Sequence, residues 1–371
     1  MPSWRVANAP PILLMRIGID ARELCGRPTG VGRHLAGLLD AWSTSASAVQ
    51  HSFIVYAPEP IAGALPPNAE RRIVPGAGGT KWEQLALPRA AGHDHLDVFF
   101  APGYSAPLSL DVPIALLVHD LSFVSHPEWF RAREGFRRRL LTRWSVDKAR
   151  IVLTVSDTAR AEIIAQLGLA PSRVRRVYPG ITALHARGSP VAREPLVLFA
   201  GSIFNRRHLP DLIRGFTTLA RSRPDVRLDI VGDNRTYPHQ DLTALVARED
   251  LQSQAAVRSY IPDDALADLY RRARVFAFLS EYEGFGHPPL EALRSGVPLV
   301  LLDTPVAREV CGDAALYVKQ GDLAAIGAAL ASLLFDEPAR ARVLAAAPGV
   351  LSRYSWTSAA EETLETIACS I

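Results

Sequence analysis

Short apolar runs alternate with longer segments whose apolar residues recur at helical spacing. The runs lie at 16–20, 52–56, 97–101, 114–118, 151–156, 195–201, 226–232, 275–280, 298–302 and 315–318. Several are continuously apolar, as expected for strands covered on both faces. Between them, 34–42, 82–88, 128–150, 263–272, 288–294, 306–311 and 323–335 read as helices, with further helix starts at Asp157 and Pro210. Strand–helix alternation predicts parallel sheets with right-handed crossovers, an α/β fold. The polar stretch 182–194, with Gly188 and Pro190, reads as a linker between two halves.

Composition agrees with two soluble-type domains. The chain has 371 residues, 48% hydrophobic and 21% charged, long enough for two cores. A net charge of +3 without a charged tail gives no argument for a nucleic-acid partner. Lysine occurs only at 81, 148 and 319 among 41 basic residues, so arginine carries nearly all the positive charge. Cys25, Cys311 and Cys369 have neither disulfide nor metal spacing, which points to a reducing compartment.

The stretch Glu281–Glu291, E-Y-E-G-F-G-H-P-P-L-E, follows the run 275–280. Gly284 and Gly286 let backbone approach a ligand, and Pro288–Pro289 suits a helix start. A strand, a glycine loop and a helix start make an anion site, here flanked by Glu283 and Glu291. An ordinary strand-to-helix connection has the same parts, and spacing alone does not separate the two.

The run E-G-F-G-H-P-P-L-E-A-L resembles the E-x7-E signature of retaining glycosyltransferases of family 4, with Glu283 and Glu291 as its glutamates. S-G-V-P-L-V at 295–300 and A-R-E-V-C-G-D-A-A-L-Y-V at 307–318 resemble the family as well. The resemblance implies a GT-B fold: two Rossmann-like domains facing each other across a cleft, with a C-terminal helix crossing back to the first. It divides the chain into 15–185 (acceptor side), 195–355 (nucleotide-sugar side) and 356–371 (returning helix). It begins near Arg16, so Met15 is read as the start and residues 1–14 as loosely held.

Further positions carry the resemblance. Gly30 and Gly32 match paired glycines lying against the donor phosphates. The run 114–118 ends in His119-Asp120. By itself such a histidine is more often a core residue, but ligands of doubly wound sheets sit at strand carboxyl ends. The family's histidine at this place contacts the donor sugar, a role that passes to His119, with Asp120 orienting its ring. In G-S-I-F-N-R-R-H-L (201–209), Arg206 matches the family's arginine, Arg207 stands for its usual lysine and His208 for Asn or Gly. The pair implies binding of the diphosphate and stabilisation of the leaving group, a task that suits two fixed cations. Ser202, Gly284, Phe285, Gly286 and His287 complete the loops facing the donor. Backbone at Tyr260 and Ile261 would face the base, and Glu291 the ribose. His119, Arg206, Arg207 and Glu283 are the expected catalytic set.

Together these imply an enzyme moving a hexose (mannose, glucose or rhamnose) from a GDP-, UDP- or dTDP-sugar to a glycan or lipid-linked acceptor in polysaccharide synthesis. No D-x-D occurs, so the motif asks for no metal, and no cofactor is expected. The rival readings are a non-catalytic nucleotide-sugar-binding protein, a GT-B epimerase or hydrolase, and a dehydrogenase. The last is weakened by the lack of a full dinucleotide fingerprint. Cytoplasmic placement is expected. In 128–150, Phe136, Leu140 and Trp144 share a helical face among arginines. The preferred reading packs that face on the sheet, and the alternative sets it on an anionic membrane surface.

Overall fold

All ten apolar runs form strands. The computed structural model describes residues 14–26, 30–182, 192–259 and 261–371. The first sheet contains β1 (Arg16–Asp20), β2 (Ser52–Ala57), β3 (Ala69–Ile73), β4 (Val98–Ala101), β5 (Ile114–Leu117), β6 (Ile151–Thr154) and β7 (Val174–Arg176). Its order is β3-β2-β1-β4-β5-β6-β7. The second contains β8 (Leu196–Ala200), β9 (Arg227–Val231), β10 (Ala255–Arg258), β11 (Val275–Phe278), β12 (Leu299–Leu302) and β13 (Ala315–Val318), in the order β10-β9-β8-β11-β12-β13. The pairings are parallel. The order reverses direction beside β1 and again beside β8, giving each sheet the Rossmann arrangement with a switch point at β1/β4 and at β8/β11. Strands β4, β5, β8 and β11 are buried throughout, as helices on both faces of a parallel sheet require.

Two compact units emerge, and their limits do not follow the sheets. One comprises 1–118, 141–153 and 357–371, the other 119–140 and 154–356. The last helix, Trp356–Ala368, lies almost wholly in the first unit, where the Trp42 indole N–H donates to Ala360 O at 2.9 Å. Residues 1–13 and most of the proposed linker lie outside the described residues. Of residues 1–14 only Leu14 is described, and it is exposed, while Met15, which follows, is buried.

One expectation is overturned. The helix Ala132–Lys148 does not bury its aromatic stripe: Phe136 is 62% and Trp144 48% exposed. Its inward face in the first unit is Thr142, Ser145 and Val146. These are small side chains, and Ser145 Oγ accepts the Ala106 N–H at 3.0 Å. Small residues let the helix lie close, and the rings are left on the other side.

Candidate active site

The carboxyl ends of β8 and β11, neighbours across the switch point of the second sheet, carry the two loops singled out from the sequence. After β8 the chain makes a tight turn at Asn205–Arg207 and enters the helix Leu209–Ser222. His208, between them, has φ +44°. A left-handed residue is needed there, which explains why Asn or Gly is the usual occupant. After β11 the loop 279–286 leads into the helix His287–Arg294. Pro288 and Pro289 sit in its first turn, as expected, while Glu291 falls one turn further in.

The two loops are tied by backbone and by charge. Glu281 N–H donates to Arg206 O at 2.9 Å. Arg207 is buried, and its guanidinium grips Glu283 Oε1 from Nη2 at 3.0 Å and from Nε at 3.1 Å. Its Nη1 donates to Ser202 O at 2.6 Å, and Phe278 lies beneath it, 4.7 Å from ring centroid to Cζ. Burial pushes the Arg207 pKa down, against the pull of Glu283. Ser280 Oγ adds a bond to the same Glu283 oxygen at 2.9 Å.

Arg206 differs. Among the described residues its guanidinium has no carboxylate or hydrogen-bond partner, and its Nε is buried without one. It lies 4.4 Å from the Phe204 ring centroid. Two adjacent arginines that looked alike in sequence thus divide the work: Arg207 is a strut, and Arg206 is a cation with its charge unspent.

The glycines of the second loop serve two purposes. A Cβ on Gly284 would come within 2.0 Å of His119 O and 3.3 Å of Asp120 Cβ, so only glycine lets this loop press on the His119–Asp120 backbone. Gly286 has φ +95° and open space where a Cβ would point. Ser156 Oγ donates to Gly284 O at 2.6 Å. Tyr282 Oη donates to Glu162 at 2.6 Å and accepts the Leu121 N–H at 2.9 Å. Burial pushes the Tyr282 pKa up, so the phenol keeps its proton.

His119, Asp120, Ser202, Arg206, Arg207, Glu283, Gly284, Phe285, Gly286, His287, Glu291 and Ile261 all belong to the second unit. Asp120 Oδ1 accepts the Ser122 N–H at 2.8 Å, capping the turn that follows. The Phe285 side chain is 5% exposed among Tyr178, His287 and Tyr354, leaving only its backbone to face a ligand. Tyr260 lies outside the described residues. Gly30 and Gly32 belong to the first unit and open the helix Gly30–Thr44 instead of lying in a loop before it. A Cβ on Gly30 would meet nothing. Ser280, Phe204, Tyr282 and Ser156 escaped the sequence reading as site residues: Tyr282 and Ser156 act through tertiary contacts, and the local contacts of Ser280 with Glu283 and of Phe204 with Arg206 have no motif of their own.

Two family models match the chain. Glycosyltransferase family 4 matches residues 28–183, and glycosyl transferases group 1 matches residues 181–349. The chain belongs to glycosyltransferase family 4. This glycosyltransferase is 28% identical over 279 residues to the O-antigen chain mannosyltransferase B of Escherichia coli, covering 72% of this chain and 73% of that one. It is 29% identical over 305 residues to a D-inositol 3-phosphate glycosyltransferase of Xylanimonas cellulosilytica, covering 74% and 71%. Among solved structures, Anabaena HepE in complex with UDP and glucose superposes with a TM-score of 0.73 at 18% identity, covering 95% of this chain and 99% of that one. The fold is therefore GT-B.

Proposed function

We propose that this glycosyltransferase moves a hexose from a nucleoside-diphosphate sugar to a glycan or lipid-linked acceptor in polysaccharide assembly, with retention at the anomeric carbon. The observation that carries the reading is the guanidinium of Arg206, without a carboxylate or hydrogen-bond partner among the described residues, next in the chain to the Arg207 that holds Glu283. A fixed cation at the carboxyl edge of a switch point suits a diphosphate whose negative charge grows as the sugar departs. Glu283, oriented by Arg207 and Ser280, would take hydroxyls of the transferred sugar. Glu291 would take the ribose, His119 the sugar, and the 284–287 backbone the phosphates. The family's pattern would add the amides of Gly30 and Gly32 for phosphate and set Ile261 along the base.

Similarity to an O-antigen chain mannosyltransferase supports mannose among mannose, glucose and rhamnose, and a polysaccharide product. GDP-mannose, UDP-glucose and dTDP-rhamnose tested for thermal stabilisation, followed by a transfer assay with NMR of the product anomer, test the reading. Stabilisation with transfer and a retained anomer is expected. Stabilisation without transfer would favour a binding protein, and free monosaccharide without acceptor a hydrolase.

The same proposal places the enzyme at the inner face of a membrane, in peripheral contact. No helix among the described residues is long and apolar enough to cross one. The exposed Phe136 and Trp144 stand on a helix that also carries Arg133, Arg137, Arg138, Arg139 and Arg143. Exposed rings flanked by arginine suit an anionic lipid surface. Flotation with liposomes containing anionic lipid should carry the protein upward, and its staying at the bottom would remove membrane contact from the proposal.

A further inference from the structure

Arg206 is held in place by rings. Its Cζ lies 4.4 Å from the Phe204 centroid and 5.8 Å from that of Trp129. Trp129 is itself fixed. It stacks on His126 at 3.9 Å with an interplanar angle of 8°, and meets Tyr282 edge-on at 6.0 Å. His126 also meets Tyr282 edge-on, at 5.3 Å. Tyr282 is pinned through its hydroxyl between Glu162 and the Leu121 amide. A chain of contacts therefore runs from Glu162 through Tyr282 and the His126–Trp129 stack to the guanidinium, all within the second unit.

Rings and carboxylates hold a cation with different consequences. A carboxylate partner cancels the charge, as Glu283 does for Arg207. An aromatic face attracts the cation through its quadrupole and leaves the net charge intact. We propose that Trp129 is a positioning residue for the donor diphosphate: with Phe204 it fixes the Arg206 guanidinium without neutralising it. The inference rests on the reading of Arg206 as the diphosphate cation, and adds a residue outside both loops that sets how well that cation is aimed.

The test is a double-mutant cycle on the full chain. UDP, GDP, ADP and dTDP are titrated by calorimetry into wild type, Trp129→Leu, Trp129→Phe, Arg206→Ala and the Trp129→Leu/Arg206→Ala double variant. The nucleotide that binds wild type should bind Trp129→Leu about tenfold more weakly. Trp129→Phe, which keeps a ring, should recover most of that loss. In the Arg206→Ala background Trp129→Leu should cost nothing further. Trp129→Met enters the same cycle if the leucine variant melts lower than wild type. An equal loss in both backgrounds, or no loss from Trp129→Leu while Arg206→Ala binds weakly, overturns the positioning role and leaves the diphosphate reading standing. Unchanged binding by Arg206→Ala, or binding of none of the four nucleotides to wild type, overturns both.

Discussion

Replacing Arg207 by methionine separates the strut from the cation beside it. The guanidinium is 8% exposed and meets Glu283 Oε1 through two nitrogens and Ser202 O through a third. Removing one partner of a buried ion pair costs about 3–5 kcal/mol, because the other charge stays behind. Glu283 is 16% exposed and keeps the Ser280 hydroxyl, which brings the expected loss to about 2–3 kcal/mol. In a unit of this size that is a fall of roughly 4–12 °C in melting temperature. Burial already pushes the Arg207 pKa down despite its partner. The pair is thus costly to desolvate, and removing both charges should be milder than removing one. Differential scanning fluorimetry should therefore rank Arg207→Met below Arg207→Met/Glu283→Gln, with wild type highest. A single variant melting with wild type, or a double variant melting no higher than the single, would refute the strut.

Two further perturbations probe the glycine loop and a buried acid. Gly284→Ala must displace backbone, since its Cβ would sit 2.0 Å from His119 O. It should lose about 1–3 kcal/mol and, by shifting the loop, about 100-fold in turnover. Gly286→Ala meets open space, so its cost is conformational only, roughly 1–2 kcal/mol. Equal turnover in the two variants would contradict the close approach. In the first unit Asp20 is 2% exposed, and burial, opposed by Arg22 and assisted by Glu83, raises its pKa from 3.8 to about 6. The folded state therefore holds this proton more tightly than the unfolded chain. Its contribution to stability is greatest below pH 4 and is lost as pH rises to 6, a change of about 3 kcal/mol. Unfolding midpoints of wild type minus Asp20→Asn should fall across that window, and a flat difference would contradict it.

The continuous apolar strands made both sheets legible, and the E-Y-E-G-F-G-H-P-P loop pointed to the candidate site. β3, Ala69–Ile73, was missed because it is an edge strand, largely exposed, and reads A-E-R-R-I. The inward face of the helix Ala132–Lys148 was misjudged because period alone favours rings, whereas close packing chose Thr142, Ser145 and Val146. The division between Arg206 and Arg207 has no sequence signal. It depends on which guanidinium Glu283 reaches from a loop more than seventy residues away. The Trp129 ring beside Arg206 is invisible for the same reason, lying in a distant segment with no motif of its own.

A transfer assay of Arg206→Ala, with melting temperature as its control, tests the central claim most directly. Without the unspent cation, turnover should fall about 100-fold. The melting temperature should stay within about 2 °C of wild type, because among the described residues the Arg206 guanidinium makes no ion pair or hydrogen bond. Wild-type turnover in that variant would contradict the account.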